Sequence, residues 1–224
     1  MNRGIIVAHE QGIVTSTSLM VRWPAAAEAA DYARAHPQLS VGLHVDLGEW
    51  ALRQDNWVPV YEVVALQSLA AVTEEVHRQR EAFYRLMGRN PTHLDSHQHV
   101  HLREPARSVL SALAGALDVP LRHYSSQVQY CGRFYGQDSD GSPVPGVVSV
   151  QGLTNILASL PQGQTELACH PGEAEDLQTM YCKERREEIK VLCDPRLPSL
   201  LRKLDIQLVS FHGRGCALLE QPSP

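Results

Sequence analysis

The chain has 224 residues, 20 Lys+Arg against 25 Asp+Glu and a formal net charge of -5, an acidic balance that argues against a partner gripped by its phosphate backbone, so nucleic acid is not expected. A single domain of this length buries roughly 70–75% of the surface its unfolded chain exposes and needs no disulfides, and no apolar run approaches the ~20 residues of a membrane span. Five cysteines (Cys131, Cys169, Cys182, Cys193, Cys216) make an odd number with no Cys-x-x-Cys pair, which suggests neither a structural zinc module nor a disulfide framework and suits a reducing cytoplasm.

The first residues, Asn2 to Glu10, lack the basic, apolar and small-residue succession of a signal peptide and read as helix. Val14 to Val21 is rich in β-branched residues and stops before Pro24, which predicts a strand. Ala25 to His36 is an alanine-rich helix ended by Pro37, and Val41 to Leu47 a second strand. A loop carrying Trp50, Trp57 and Pro59 follows, then a helix from Leu69 to Met87 closed by Gly88. Thr92 to His99 is a third strand, Pro105 to Leu117 a helix and Leu121 to Tyr124 a short strand. The Gly/Asp/Ser/Pro-rich stretch from Tyr130 to Gly146 reads as a loop. Val150 to Leu160 is helical, Thr165 to Cys169 a strand, Glu184 to Cys193 and Leu197 to Leu204 helices, and Ile206 to Phe211 a last strand. Strands alternating with helices, with no repeat and no dividing linker, predict one α/β domain over residues 1–224 with a mostly parallel sheet or barrel.

Histidine is unusually frequent: there are 11, and His93, His97, His99 and His101 fall within nine residues. On a continuous strand they would share one face with Asp95. Same-face neighbours then stand ~6.6 Å apart, whereas zinc ligands sit within ~3.5 Å of each other, so one ion cannot collect the row. A site here takes one histidine from this strand and others from neighbouring strands; the alternative is a polar, solvated strand terminus. His44 and His170 also follow predicted strands, at the end where catalytic groups gather in parallel α/β sheets. Asp46, two residues beyond His44, is a candidate partner or extra ligand, or a surface residue.

Gly4-Ile5-Ile6, Gly12 to Ser18, Val41-Gly42-Leu43-His44, Pro91 to His101 and Cys169-His170-Pro171-Gly172 together resemble the successive motifs of the YdjC-like carbohydrate deacetylases, over nearly the whole chain. The resemblance implies a distorted (β/α) barrel related to polysaccharide deacetylases. It implies a hydrolase that removes the N-acetyl group of a chito-oligosaccharide or, alternatively, of hopanoid-linked N-acetylglucosamine, a glycolipid. It casts His44 and His97 as ligands of a divalent metal, zinc or magnesium, and His170 as the acid that protonates the departing amine. Arg122 matches an arginine that orients a carboxylate or substrate, and Phe134-Tyr135 a wall beside the substrate. Asp95 would hold the metal-site histidines, with His99 and His101 as supporting or substrate-contacting groups. Trp50 and Trp57, with Phe134 and Tyr135, are candidates for stacking on sugar or for anchoring loops.

Family members carry an Asn-Ala-Asp-Asp-Phe-Gly motif upstream of the residues matching Asn2-Arg3-Gly4. Those aspartates supply a third metal ligand and the general base, and this sequence has no counterpart to them. The expectation is therefore a barrel lacking its first strand, with exposed edges that favour a homodimer. The rival expectation is an inactive relative that keeps a sugar-binding cleft and a weak metal site.

Overall fold

A computed structural model describes residues 1–54, 56–138, 142, 144–173 and 181–212. In chain order it contains α1 (Asn2–Glu10), β1 (Ser16–Leu19), α2 (Ala26–Ala35), β2 (Ser40–Val45), β3 (Gly48–Arg53), β4 (Asn56–Glu62), α3 (Leu69–Met87), β5 (Leu94–Ser96), a 3-10 segment (His97–Leu102), α4 (Ala106–Leu117), β6 (Val128–Cys131), α5 (Val150–Ala158), β7 (Gln164–Leu167), α6 (Lys183–Leu192) and α7 (Leu197–Lys203). This is an α/β fold. Among the described residues the strands form a three-stranded sheet and two two-stranded sheets, not a closed barrel, and no helix is long and apolar enough to cross a membrane. The chain divides into two compact units, one built from Ser16–Val128 with the segment from Ser210 on, the other from Met1–Thr15 with Gln129–Val209.

The first unit is organised on a parallel sheet in the order β1-β2-β5. The apolar faces of β2 and β5 bury Leu43, Val45 and Leu94 completely, against Val72, Val76 and Phe83 of α3 and Leu110 and Ala114 of α4. α3 begins where Ser68 accepts from the Ala71 amide and ends at Gly88, whose φ of 68° is the left-handed cap that glycine adopts freely. On its inner face α3 also buries Gln79, whose amide accepts from the Asp46 backbone N–H and donates to the Asp46 carbonyl. That exchange closes the end of β2 as a further strand would.

Register explains the tight packing beneath the site. Ser18 pairs with Gly42, and a Cβ on Gly42 would stand 2.5 Å from the His93 ring. The missing side chain lets the buried imidazole of His93 reach across β2 to Ser18.

Four expectations are corrected here. The segment holding Trp50, Trp57 and Pro59 is an antiparallel hairpin of β3 and β4, with a register shift at Glu49/Trp50; Pro59 is tolerated because a proline needs only to lie where no amide is required. The third strand stops at Ser96 because Gln98 and His99 adopt left-handed φ of 47° and 53°. The Leu121–Tyr124 strand shrinks to one parallel bridge, Leu94 to Leu121. The last predicted strand is irregular, although Phe211 stacks on His93 with ring centres 4.0 Å apart.

In the second unit α1 packs with α6, and β6 pairs with β7 over a core of Ala8, Phe134, Leu153, Leu157, Leu192 and Leu197. A Cβ on Gly4 would lie 2.6 Å from Gly172 Cα, so the glycine allows helix α1 to press directly on the Cys169–Gly172 loop. Cys216 lies outside the described residues.

Candidate functional site

Across β2 and β5, His44 stands directly opposite Asp95. His44 Nδ1 donates to Asp95 Oδ1 at 2.8 Å, Ser18 Oγ donates to Oδ2 at 3.0 Å, and Arg122 Nη2 lies 2.7 Å from Oδ2. Asp95 is 1% exposed. Burial pushes its carboxyl upward, but Arg122 and His44 outweigh that and hold it well below the ordinary carboxylate range. An ionised Asp95 fixes the His44 tautomer with its proton on Nδ1 and its lone pair on Nε2, the arrangement that metal-binding histidines characteristically have.

His97, the first residue past β5, brings its ring to 5.7 Å from that of His44. Its Nε2 is buried without a hydrogen-bond partner, and the Glu49 carboxylate lies 3.8 Å away. An orphaned buried imidazole nitrogen beside a carboxylate-oriented second imidazole is a donor set that fits a divalent ion. No sequence signal marks Glu49, because it lies in the stretch around Trp50 and Trp57 that the sequence predicts as loop.

Beyond His97 the left-handed turn folds the row of histidines back on itself. His99, His101 and the previously unremarked His123 each offer a ring nitrogen within 4.8 Å of the others. His101 is fully buried, with Nδ1 2.6 Å from Ser96 Oγ. Burial lowers the pKa of His99 to about 4 and of His101 to about 3, and lowers that of His123 as well. The same desolvation brings His93 to about 4, so all four rings are neutral near pH 7.

Asp46 is fully buried, its carboxylate accepting from Arg22 at 2.8 Å, Tyr61 at 3.0 Å and the Gly48 amide at 3.2 Å. Trp50 is half-buried, its backbone clasped by the Gln98 amide through two 2.8 Å hydrogen bonds; Trp57 is exposed.

In the second unit His170 follows β7. Its backbone amide donates to Glu188, and its carbonyl accepts from Arg185 at 3.2 Å. Tyr181 donates to the other Glu188 oxygen at 2.5 Å. Tyr135 meets the His170 ring edge-on at 4.9 Å and stacks on Tyr181 at 4.4 Å. Its neighbour Phe134 is fully buried in the unit's core, which leaves Tyr135 as the aromatic of that pair beside His170. Glu188 is fully buried; burial raises its pKa to about 7 against the lowering effect of its hydrogen bonds from Tyr181 and His170. Glu188 lay in a helix read from its charge pairs alone.

The profile of the YdjC-like protein family matches residues 1–203. The chain is 29% identical to the chitooligosaccharide deacetylase of Serratia marcescens, over 94% of this chain and 92% of that one. It is 30% identical to a carbohydrate deacetylase of Geobacillus stearothermophilus, over 95% and 91%. Among solved structures, a proposed cellobiose-phosphate cleavage protein from Enterococcus faecalis V583 superposes with a TM-score of 0.71 at 24% identity, covering 94% of this chain and 91% of that one, which is a likeness of fold.

Proposed function

The chain belongs to the YdjC-like family, and on that premise we propose that it is a metal-dependent hydrolase that removes the N-acetyl group of an acetamido sugar, a chito-oligosaccharide in the first instance, to leave acetate and a free amine. The observation that carries this reading is the Asp95-centred cluster: a buried carboxylate orients His44, and His97 faces it with an unpartnered buried nitrogen. The deacetylase names of the two relatives support the substrate class.

His44 and His97 would hold the metal. When bound, a divalent ion there supplies positive charge that polarises the acetamide carbonyl and acidifies water. Asp95 keeps His44 in the ligating tautomer and is itself held by Arg122 and Ser18; Arg122 thus acts by positioning. Glu49, 3.8 Å from His97 Nε2, is the base we assign to the attacking water. Water adds to the carbonyl carbon as its proton passes to Glu49; the C–N bond then breaks as the departing nitrogen takes up a proton, the role that the family resemblance gives to His170. General acid and base each contribute roughly 10²–10⁴-fold. Tyr135 lines the substrate side of His170 in this scheme.

The test is acetate release by purified chain supplied with zinc or magnesium. Glu49→Gln and His170→Gln should each cut kcat by roughly 10²-fold or more with the fold unchanged, and His97→Gln should also lower metal content. Unaltered release in Glu49→Gln or His170→Gln would remove that residue from the scheme; unaltered metal content in His97→Gln would remove the metal assignment.

A further inference from the structure

We infer that His99, His101 and His123 form a second divalent-metal site, separate from the His44–His97 pair and selective for zinc-like ions over magnesium. One ring nitrogen from each residue lies within 4.8 Å of the others, and the ring centres are 5.8 Å, 5.1 Å and 5.7 Å apart. Three imidazoles bound tetrahedrally to one ion through nitrogens ~2.1 Å away have ring centres ~5 Å apart, so side-chain adjustments of about an ångström complete the geometry. His101 is the independent pointer. It is fully buried, Ser96 engages its Nδ1, and its Nε2 is buried with no hydrogen-bond partner. A buried ring nitrogen left in that state costs stability unless something accepts its lone pair.

The donor set defines the ion. Three neutral nitrogens suit zinc, cobalt, nickel or copper, whereas magnesium demands oxygen ligands. The charge of the neighbouring Arg122 is answered by its ion pair with Asp95. An ion here would tie the turn after β5 to the segment that follows the Leu94–Leu121 bridge, and so stiffen the turn that carries His97. The inference does not rest on the proposed deacetylase activity, and its readout is metal uptake.

The probes are Co²⁺ and Zn²⁺, titrated into metal-free full-length protein. In a His44→Gln/His97→Gln background one equivalent of Co²⁺ should still bind and give the visible bands of nitrogen-ligated cobalt, undisturbed by excess Mg²⁺. Adding His123→Asn should abolish the bands and weaken Zn²⁺ binding roughly tenfold or more. His99→Asn should do the same. Both positions have positive φ, 68° and 53°, which asparagine tolerates, so either variant should keep the fold, as circular dichroism can verify. No uptake in the double-glutamine background, displacement by Mg²⁺, or uptake indifferent to both asparagine variants would overturn the site.

Discussion

Asp95 joins three side chains, those of His44, Ser18 and Arg122, into one arrangement, and its removal should show in two separate readouts. In Asp95→Asn the Arg122 guanidinium, 12% exposed, loses its counter-charge, and breaking a buried pair costs about 3–5 kcal/mol. Denaturant unfolding should register that loss, while metal binding through His44 should weaken ~10–100-fold because its tautomer is no longer fixed. Because the folded pKa of Asp95 is depressed, its stabilising contribution is fully present above about pH 4 and declines as pH falls toward the folded-state value; the wild type should therefore lose its advantage over Asp95→Asn on acidification. Glu188 has the opposite sign. With its folded pKa raised to about 7, the native state keeps a proton that the unfolded chain releases near pH 4.5, so this residue erodes stability as pH rises from about 4.5 to 7 and no further above that. The wild type should show that slope, and Glu188→Gln should lack it; equal slopes would contradict the burial argument.

At the scale of elements, the site depends on close packing between strands. Gly42→Ala would bring a methyl to 2.5 Å from the buried His93 ring, an overpacking that costs typically 1–3 kcal/mol. Loss of stability without loss of secondary structure is the expected result, by urea unfolding and circular dichroism. Most of the helices and the first two parallel strands were legible in the sequence. Leu69 to Met87 is bounded by the Ser68 and Gly88 caps, and those caps are local chemistry. The β3–β4 hairpin was not legible, because Pro59 and the aromatic spacing around Trp50 and Trp57 look like loop when the pairing partner is unknown. The strand through the histidine run is shorter than its sequence predicts for a related reason. Alternation predicts a straight continuation, and nothing local announces the left-handed backbone at Gln98 and His99. That single turn separates a row that no ion could collect from the His99–His101–His123 cluster.

On the scale of the whole molecule, the two compact units interleave in sequence, an organisation that periodicity cannot reveal because no linker marks the crossings. The motifs His44, Asp95 with His97, and His170 were legible as chemistry, and the first three do meet in one unit. His123, Glu49 and Glu188 were not, since each owes its place to tertiary neighbours and to no motif. The proposed hydrolysis of a sugar-linked acetamide has a direct assay. Purified chain is incubated with an N-acetylated chito-oligosaccharide and zinc or magnesium, and acetate and free amine are measured together. The two should appear in equal amounts, with the glycosidic bonds intact and no release after chelation; binding of the sugar with no acetate freed by any divalent ion would rule out the deacetylase reading.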